Sequence, residues 1–330
     1  MSLRVILAVL VTVTVALPSP LVLAQQAKPH IGVLWPGDVQ RWTDAFIEGL
    51  RENGYVDRTT ASIDVRNTYS NFDSGPALAR ELISLEPRVI FASPGTLAKH
   101  VLRELELAHK NIPVVVLTWD PIEEDIVAAA AHPGRNVTGI GTAPDPEFIT
   151  KHLQLVKELA PQASRVGYFI DPSWYRSKFF ERSSAVLDKA ARRLGIKIIT
   201  IEVQTPERLE AAFSEAIRKQ CQAVIVPPSP TFAGHRDRVI QLAAKNHLPA
   251  IYGDELFAYE GGLISYWTSI SEMERHAGEI VARIARGATA ADIPVEYPTR
   301  YRLVVNLKTA SALGIEVPKS VLLQADEVIK

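Results

Sequence analysis

The sequence predicts an α/β fold of two doubly wound parallel-sheet lobes with a cleft between them. Three observations predict it. Short apolar runs alternate with amphipathic stretches from residue 30 onward. The same alternation returns about 135 residues downstream. The chain has 330 residues, more than one hydrophobic core usually holds.

The runs at 30–35, 62–67, 88–92, 113–118 and 136–140 have the length and β-branched content of buried parallel strands. Helical stretches fill 38–53, 74–86 and 96–109. In the first of these, Trp42, Phe46, Ile47 and Leu50 fall on one face and Gly54 follows as a C-cap. The second half predicts strands at 165–170, 196–203, 222–226, 249–252 and 262–266, with helices at 174–194, 206–219, 231–246 and 271–286. Glu123-Glu124-Asp125 reads as the acidic first turn of another helix.

The repeat can be written residue by residue. Ile31-Gly32-Val33 returns as Val166-Gly167-Tyr168, Ile63 as Ile198, and Val89-Ile90-Phe91 as Val224-Ile225-Val226. Pro113-Val114 returns as Pro249-Ala250, and Ser93-Pro94-Gly95-Thr96 as Pro228-Ser229-Pro230-Thr231. A shared offset across consecutive strands indicates two lobes of similar build.

Composition narrows the function. With 36 basic and 37 acidic residues, the chain lacks the positive excess of a phosphate-neutralising nucleic-acid binder. A single cysteine, Cys221, excludes an internal disulfide and any cysteine-ligated cluster, and its apolar neighbours mark it as a buried hydrophobe. Residues 1–24 read as a secretory signal peptide: Arg4 supplies the positive start, Val5 to Leu17 the apolar run, and Val22-Leu23-Ala24 the cleavage site. Removing it leaves 35 basic against 37 acidic residues in a chain expected in the periplasm.

In open parallel sheets, ligands bind beyond the carboxyl ends of the strands, so those ends carry the candidate site. Ser93 and Thr96 sit where a helix N-terminus follows a strand, a place suited to a carboxylate, and Ser229 and Thr231 occupy the repeated position. Asp120, Asp171 and Asp254 also follow strands; an Asp there holds a ligand donor or initiates a turn. Trp35, Trp119, Trp174 and Trp267, with Tyr69, Tyr252 and Tyr266, cluster at strand ends, where rings cover a ligand or pack the hinge. The pose this suggests anchors a carboxylate at Ser93 and Thr96 and holds a ring between Trp35, Tyr69 and Tyr252.

Signatures of catalysis are thin. The eight histidines form no compact metal pair, Gly139-Ile140-Gly141 lacks the third glycine of a dinucleotide loop, and neither a P-loop nor a Gly-x-Ser-x-Gly elbow occurs. No catalytic residue, metal or cofactor is expected.

Six stretches resemble the substrate-binding components of bacterial ABC importers, in the family that contains tryptophan- and tyrosine-type binding proteins. They are Ile31 to Gly37, Gly49 to Val56, Pro133 to Gly139, Leu248 to Gly253, Gly261 to Tyr266, and Asn306 to Ala310. The resemblance spans essentially all of 29–330. It implies a type I periplasmic-binding-protein fold, with lobe one at 29–143 plus 268–292 and lobe two at 144–267 plus 293–330. It further implies a monomeric, non-enzymatic receptor that closes on a small organic solute, an amino acid or an aromatic or carboxylic acid, and delivers it to an inner-membrane permease. The implied site comprises Trp35, Tyr69, Ser93, Thr96, Thr118, Asp120, Thr142, Asp171, Ser229, Tyr252 and Tyr266; of these, Thr118 and Thr142 come from the resemblance alone. The chain departs from the family pattern at Trp35, often a small polar residue, and at Asp171, often Asn-like. Alternative readings are a ligand-sensing partner of a membrane receptor and an exported enzyme with Asp120 or Asp171 as base.

Overall fold

The computed structural model describes residues 28–37, 40–69, 71–143, 148–172 and 178–330. The expected leader and Trp174 lie outside the described residues.

The first sheet has five parallel strands, β1 (His30–Trp35), β2 (Ser62–Asn67), β3 (Val89–Ala92), β4 (Val114–Thr118) and β5 (Val137–Gly141), in the order β2-β1-β3-β4-β5. Its helices are α1 (Gln40–Glu52), α2 (Gly75–Ser84) and α3 (Gly95–Leu107). Alternate side chains of β1 reach opposite faces, as strand geometry requires. Ile31, Val33 and Trp35 join the core under α1, whereas Leu34 packs with Leu82, Leu97 and Val101 under α2 and α3.

The second sheet takes β6 (Arg165–Ile170), β7 (Lys197–Glu202), β8 (Ala223–Val226), β9 (Ala250–Tyr252), β10 (Ile264–Trp267), β11 (Arg302–Asn306) and β12 (Glu327–Ile329). Their order is β12-β11-β10-β9-β8-β6-β7. Around it lie α4 (Ile149–Leu159), α5 (Lys178–Arg193), α6 (Leu209–Arg218), α7 (Pro230–Ala233), α8 (Arg236–Lys245) and α9 (Glu255–Tyr259), followed by α10 (Ile270–Ala285), α11 (Leu307–Ala312) and α12 (Lys319–Gln324). Leu153, Val156, Leu187 and Val321 fill one face, and Leu209, Phe213, Val239 and Phe257 the other.

Although α10 follows β10 of the second sheet, it packs on the first. Ser269 caps its start by accepting from the Glu272 N–H at 3.2 Å, the arrangement its Ser-x-x-Glu spacing favours. Ala277, Ile280, Val281 and Ile284 then enter the core shared with Phe46 and Leu50 of α1. The two helices cross where Gly49 meets Gly278. A Cβ on Gly49 would lie 2.0 Å from the Arg275 carbonyl oxygen and one on Gly278 2.4 Å from that of Phe46, so this contact requires glycine.

The order of β1 to β5 returns in the second sheet as β7-β6-β8-β9-β10, so the repeat is a repeat of topology. Register corrects one part of it. Gly32 pairs with Ile90 and Gly167 with Val224, so the counterpart of Ile90 is Val224 and not Ile225.

Other expectations also change. The sheet is not parallel throughout, because β11 runs antiparallel to β10. The helix expected at 231–246 breaks at Gly234 into α7 and α8. Residues 120–126 form turns and not a helix, because the Asp120 carboxylate accepts from the N–H groups of Ile122 and Glu123 at 2.9 and 3.1 Å. Residues 293–297 run beside the first sheet: Gly141 N–H donates to the Glu296 carbonyl at 2.9 Å, and Ile293 and Val295 are buried in the first sheet's cores.

Candidate functional site

The carboxyl ends of both sheets border the crossovers, and all three crossovers are tied together by rings. Phe148, in the first, packs edge-on against Trp267 at 4.6 Å and lies 5.3 Å from Tyr301 of the third in a stacked arrangement. Trp267 opens the second crossover and stacks with Trp119, which follows β4, at 6.1 Å. Tyr266 lies 5.7 Å from Tyr301. The strand-end rings Trp119, Tyr266 and Trp267 therefore belong to the hinge.

Two further rings leave the expected pose. Trp35 is 4% exposed and packs edge-on to Phe46 and Phe91 at 5.3 and 5.7 Å. Its position continues the Ile31–Val33 face of β1, which α1 and α10 cover. Tyr252 is 1% exposed and stacks on Phe257 at 4.5 Å; burial raises its phenol pKa. Both are core residues in this structure. Tyr69 is different: it follows β2 with a left-handed φ of 49° and is 74% exposed.

On the lobe-one wall, Ser93 is buried at the end of β3 and Thr96 is exposed in the first turn of α3. Thr118 ends β4, buried, with its hydroxyl accepting from the Gly95 N–H at 2.9 Å and donating to Glu124 Oε1 at 2.6 Å. Asp120 N–H also donates to Glu124 Oε1, at 3.3 Å. The carboxylate thus lies against the start of α3, its Oε2 1.8 Å from where a Cβ of residue 95 would stand, so only glycine admits it. Asp120 holds its turn and accepts from the Tyr297 hydroxyl of the third crossover at 3.0 Å. Thr142 is buried and donates its N–H to the Thr118 carbonyl at 2.7 Å.

On the lobe-two wall, Asp171 is fully buried at the end of β6. Ser229 caps α7, its hydroxyl accepting from the Phe232 N–H at 3.2 Å. Asp254 caps α9 by accepting from Leu256 N–H at 2.9 Å, and burial raises its carboxyl pKa to about 6. The strand-end acids Asp120 and Asp254 are thus committed to local backbone bonds.

Sequence reasoning missed two residues. Asn67 ends β2 with a buried Oδ1 that accepts no hydrogen bond, an amide at a strand end that the same positional rule could have found. Glu124 was hidden because its acidic run resembles a helix start.

Polar side chains also bridge the lobes beside the hinge. Arg41 of α1 lies over the Tyr259 ring of α9 at 4.2 Å, donates to its hydroxyl at 3.2 Å, and comes within 3.9 Å of the buried Glu255. Arg302 pairs with Glu255 at 3.2 Å and with Glu327 at 2.7 Å. Below Trp35, Glu274 of α10 is 1% exposed and accepts from the indole N–H; burial raises its carboxyl pKa to about 8, against the opposing pull of that bond.

Two α/β lobes with matching strand order, joined through a ring-packed hinge, define the type I periplasmic-binding-protein fold. The chain belongs to the ABC transporter substrate binding protein family, whose model matches residues 37–329. Among curated proteins it is 26% identical over 272 residues to the "Tyrosine-binding protein" of Clostridioides difficile, covering 82% of this chain and 76% of that one. Among solved structures it resembles an ABC domain in complex with L-Trp from Streptococcus pneumonia, with a TM-score of 0.76, 23% identity, and coverage of 92% of this chain and all of that one. It also resembles the ligand-free, open structure of the Clostridium difficile substrate binding protein CD0873, with a TM-score of 0.70 and 22% identity, covering 92% of this chain and 99% of that one. No helix among the described residues is long and apolar enough to cross a membrane.

Proposed function

We propose that this chain captures an amino acid, of the aromatic kind, between its lobes outside the cytoplasm and hands it to an ABC permease. The lobes divide at 29–143 plus 268–292 and 144–267 plus 293–330, with the 293–297 strap lying on lobe one. One observation carries the reading: two carboxyl-edge surfaces joined by crossovers whose rings pack into a single hinge. That hinge can rotate while each lobe keeps its own core, so ligand binding shifts an open–closed equilibrium.

Tyr69, Ser93, Thr96, Thr118 and Thr142 line lobe one in this reading, and Asp171 and Ser229 face them from lobe two. Tyr266, Trp35 and Tyr252 support the walls from behind, and Asp120 fixes the turn that carries Glu124. Capture is the supported activity, because the relatives are binding proteins and Asp120, one of the two candidate bases, is occupied by backbone donors. The names of the Clostridioides difficile relative and the L-Trp complex support an aromatic amino acid.

The test is calorimetric titration of the exported protein, unfolded and refolded to remove carried-over solute, with tyrosine, tryptophan, aliphatic amino acids and sugars. A ligand at about 1,000 times its Kd adds roughly 4 kcal/mol of stability, so thermal unfolding provides a second readout. Aromatic amino acids are expected to bind with 1:1 stoichiometry. Binding of sugars alone would overturn the ligand class. Delivery is tested by stimulation of ATP hydrolysis in the reconstituted importer.

A further inference from the structure

We propose that Glu124 is a specificity-determining residue of the cleft, reading the polar end of the solute and selecting a hydrogen-bond donor, an ammonium above all, over a carboxylate. The inference rests on the solute-capture reading and deepens it by naming the chemistry the lobe-one wall accepts.

The start of α3 is the place where sequence alone puts a ligand carboxylate. In the structure the chain's own carboxylate stands there. Glu124 Oε1 takes the Thr118 hydroxyl at 2.6 Å and the Asp120 N–H at 3.3 Å, and the Gly95 N–H is already committed to the Thr118 hydroxyl at 2.9 Å. The lack of a Cβ at Gly95 leaves the space that Oε2 fills. Three donors beside this helix start are therefore spent: the Gly95 N–H on Thr118, and the Thr118 hydroxyl and Asp120 N–H on Glu124.

This wall stands beside the crossovers that lead to lobe two. Thr118 is the last residue of β4, its carbonyl accepts from Thr142 N–H in the first crossover at 2.7 Å, and Asp120 accepts from Tyr297 in the third at 3.0 Å. Glu124 itself is half-buried, so part of its surface remains accessible. A second carboxylate brought beside it meets like-charge repulsion in a partly desolvated site, whereas an ammonium gains a charge-assisted hydrogen bond. The turn that presents Glu124 is held at both ends, by Asp120 at its start and by Ile126 and Val127 N–H donating to the Pro121 carbonyl at 2.9 and 3.1 Å. The carboxylate is thus positioned before any solute arrives.

A purely structural role, in which Glu124 only pins this turn, predicts a change in stability without a change in selectivity. Calorimetric titration of the refolded exported protein with L-tryptophan, tryptamine and indole-3-propionate separates the two. The wild type is expected to bind tryptamine at least tenfold more tightly than indole-3-propionate. In Glu124→Gln that gap narrows at least tenfold, and Thr118→Val, which frees the carboxylate from its hydroxyl partner, narrows it in the same direction. Equal binding of the amine and the acid by the wild type, or an unchanged gap in Glu124→Gln, overturns the assignment and leaves the capture reading standing. Binding of none of the three by the wild type or either variant overturns the aromatic-solute reading itself, and Glu124's role with it.

Discussion

The indole of Trp119 lies over that of Trp267, with ring centroids 6.1 Å apart and planes inclined by 19°. One ring follows β4 of the first sheet and the other ends β10 of the second, so a single stacked pair spans the two lobes. Stacking contributes about 0.5–1.5 kcal/mol beyond the area it buries. Trp119→Leu is therefore expected to lower stability by about 1–2 kcal/mol and to broaden the distribution of lobe separations. Urea unfolding and small-angle scattering check the two effects; an unchanged profile in both would remove Trp119 from the hinge.

A second prediction concerns Glu274. Its carboxyl is buried beneath Trp35 and titrates at about 8 in the folded chain, above its ordinary value of 4.5. A raised carboxyl pKa means that the folded state keeps its proton longer than the unfolded state. Its contribution to stability is complete below about pH 4.5 and is lost as pH rises toward 8. Glu274→Gln keeps an acceptor for the indole and has no charge to bury, so it should gain about 1–3 kcal/mol over wild type at pH 8 and little at pH 4.5. Denaturation of both proteins across that range measures the difference.

His152 has the opposite sign. Burial lowers its pKa to about 4, and its Nε2–H donates to the Tyr266 carbonyl at 2.8 Å. The unfolded chain binds this proton first, so stability falls as pH drops from 6.5 toward 4. His152→Gln should flatten the pH dependence in that window relative to wild type while lowering stability near neutrality. Parallel slopes for the two proteins would mean that His152 does not carry the acid limb.

Arg41 offers a test of the polar bridge between the lobes. Its side chain is 41% exposed, so its loss should change global stability by less than about 1 kcal/mol. Because Tyr259 and Glu255 lie on the other lobe, Arg41→Ala should instead shift scattering profiles toward larger lobe separation. The effect should shrink in high salt, where the wild-type bridge is itself screened.

Much of this architecture was legible because strands and helices advertise themselves by period. The Ile31-Gly32-Val33 motif and its copy at Val166 marked equivalent strands, and strand ends pointed to Ser93 and Asp171, whereas Thr118 came only through the family resemblance. What a strand end does not announce is which way its last ring points. Trp35 continues the Ile31–Val33 face and so goes inward, and Tyr252 meets Phe257 in the core. Neither outcome follows from the identity of the residue. Glu124 was misread for a related reason. An acidic run suits both a helix start and a capped turn, and the Asp120 side chain, with Pro121 after it, decided for the turn. Nothing in the periodicity could have located the carboxylate on Gly95, because that contact depends on a glycine in a different element.

The crossing of α1 and α10 at Gly49 and Gly278 also sets an order of assembly. β1 to β5 and α1 to α3 are all complete by Gly141, yet one face of their sheet is covered by Ile280, Val281 and Ile284, more than a hundred residues further along. During synthesis the first lobe emerges with Phe46 and Leu50 lacking their partner helix, and every residue of the second lobe's β6 to β10 leaves the ribosome before that cover does. The N-terminal body therefore lacks one of its covering helices until most of the chain exists, a delay that suits the export proposed above by leaving a long stretch of it threadable.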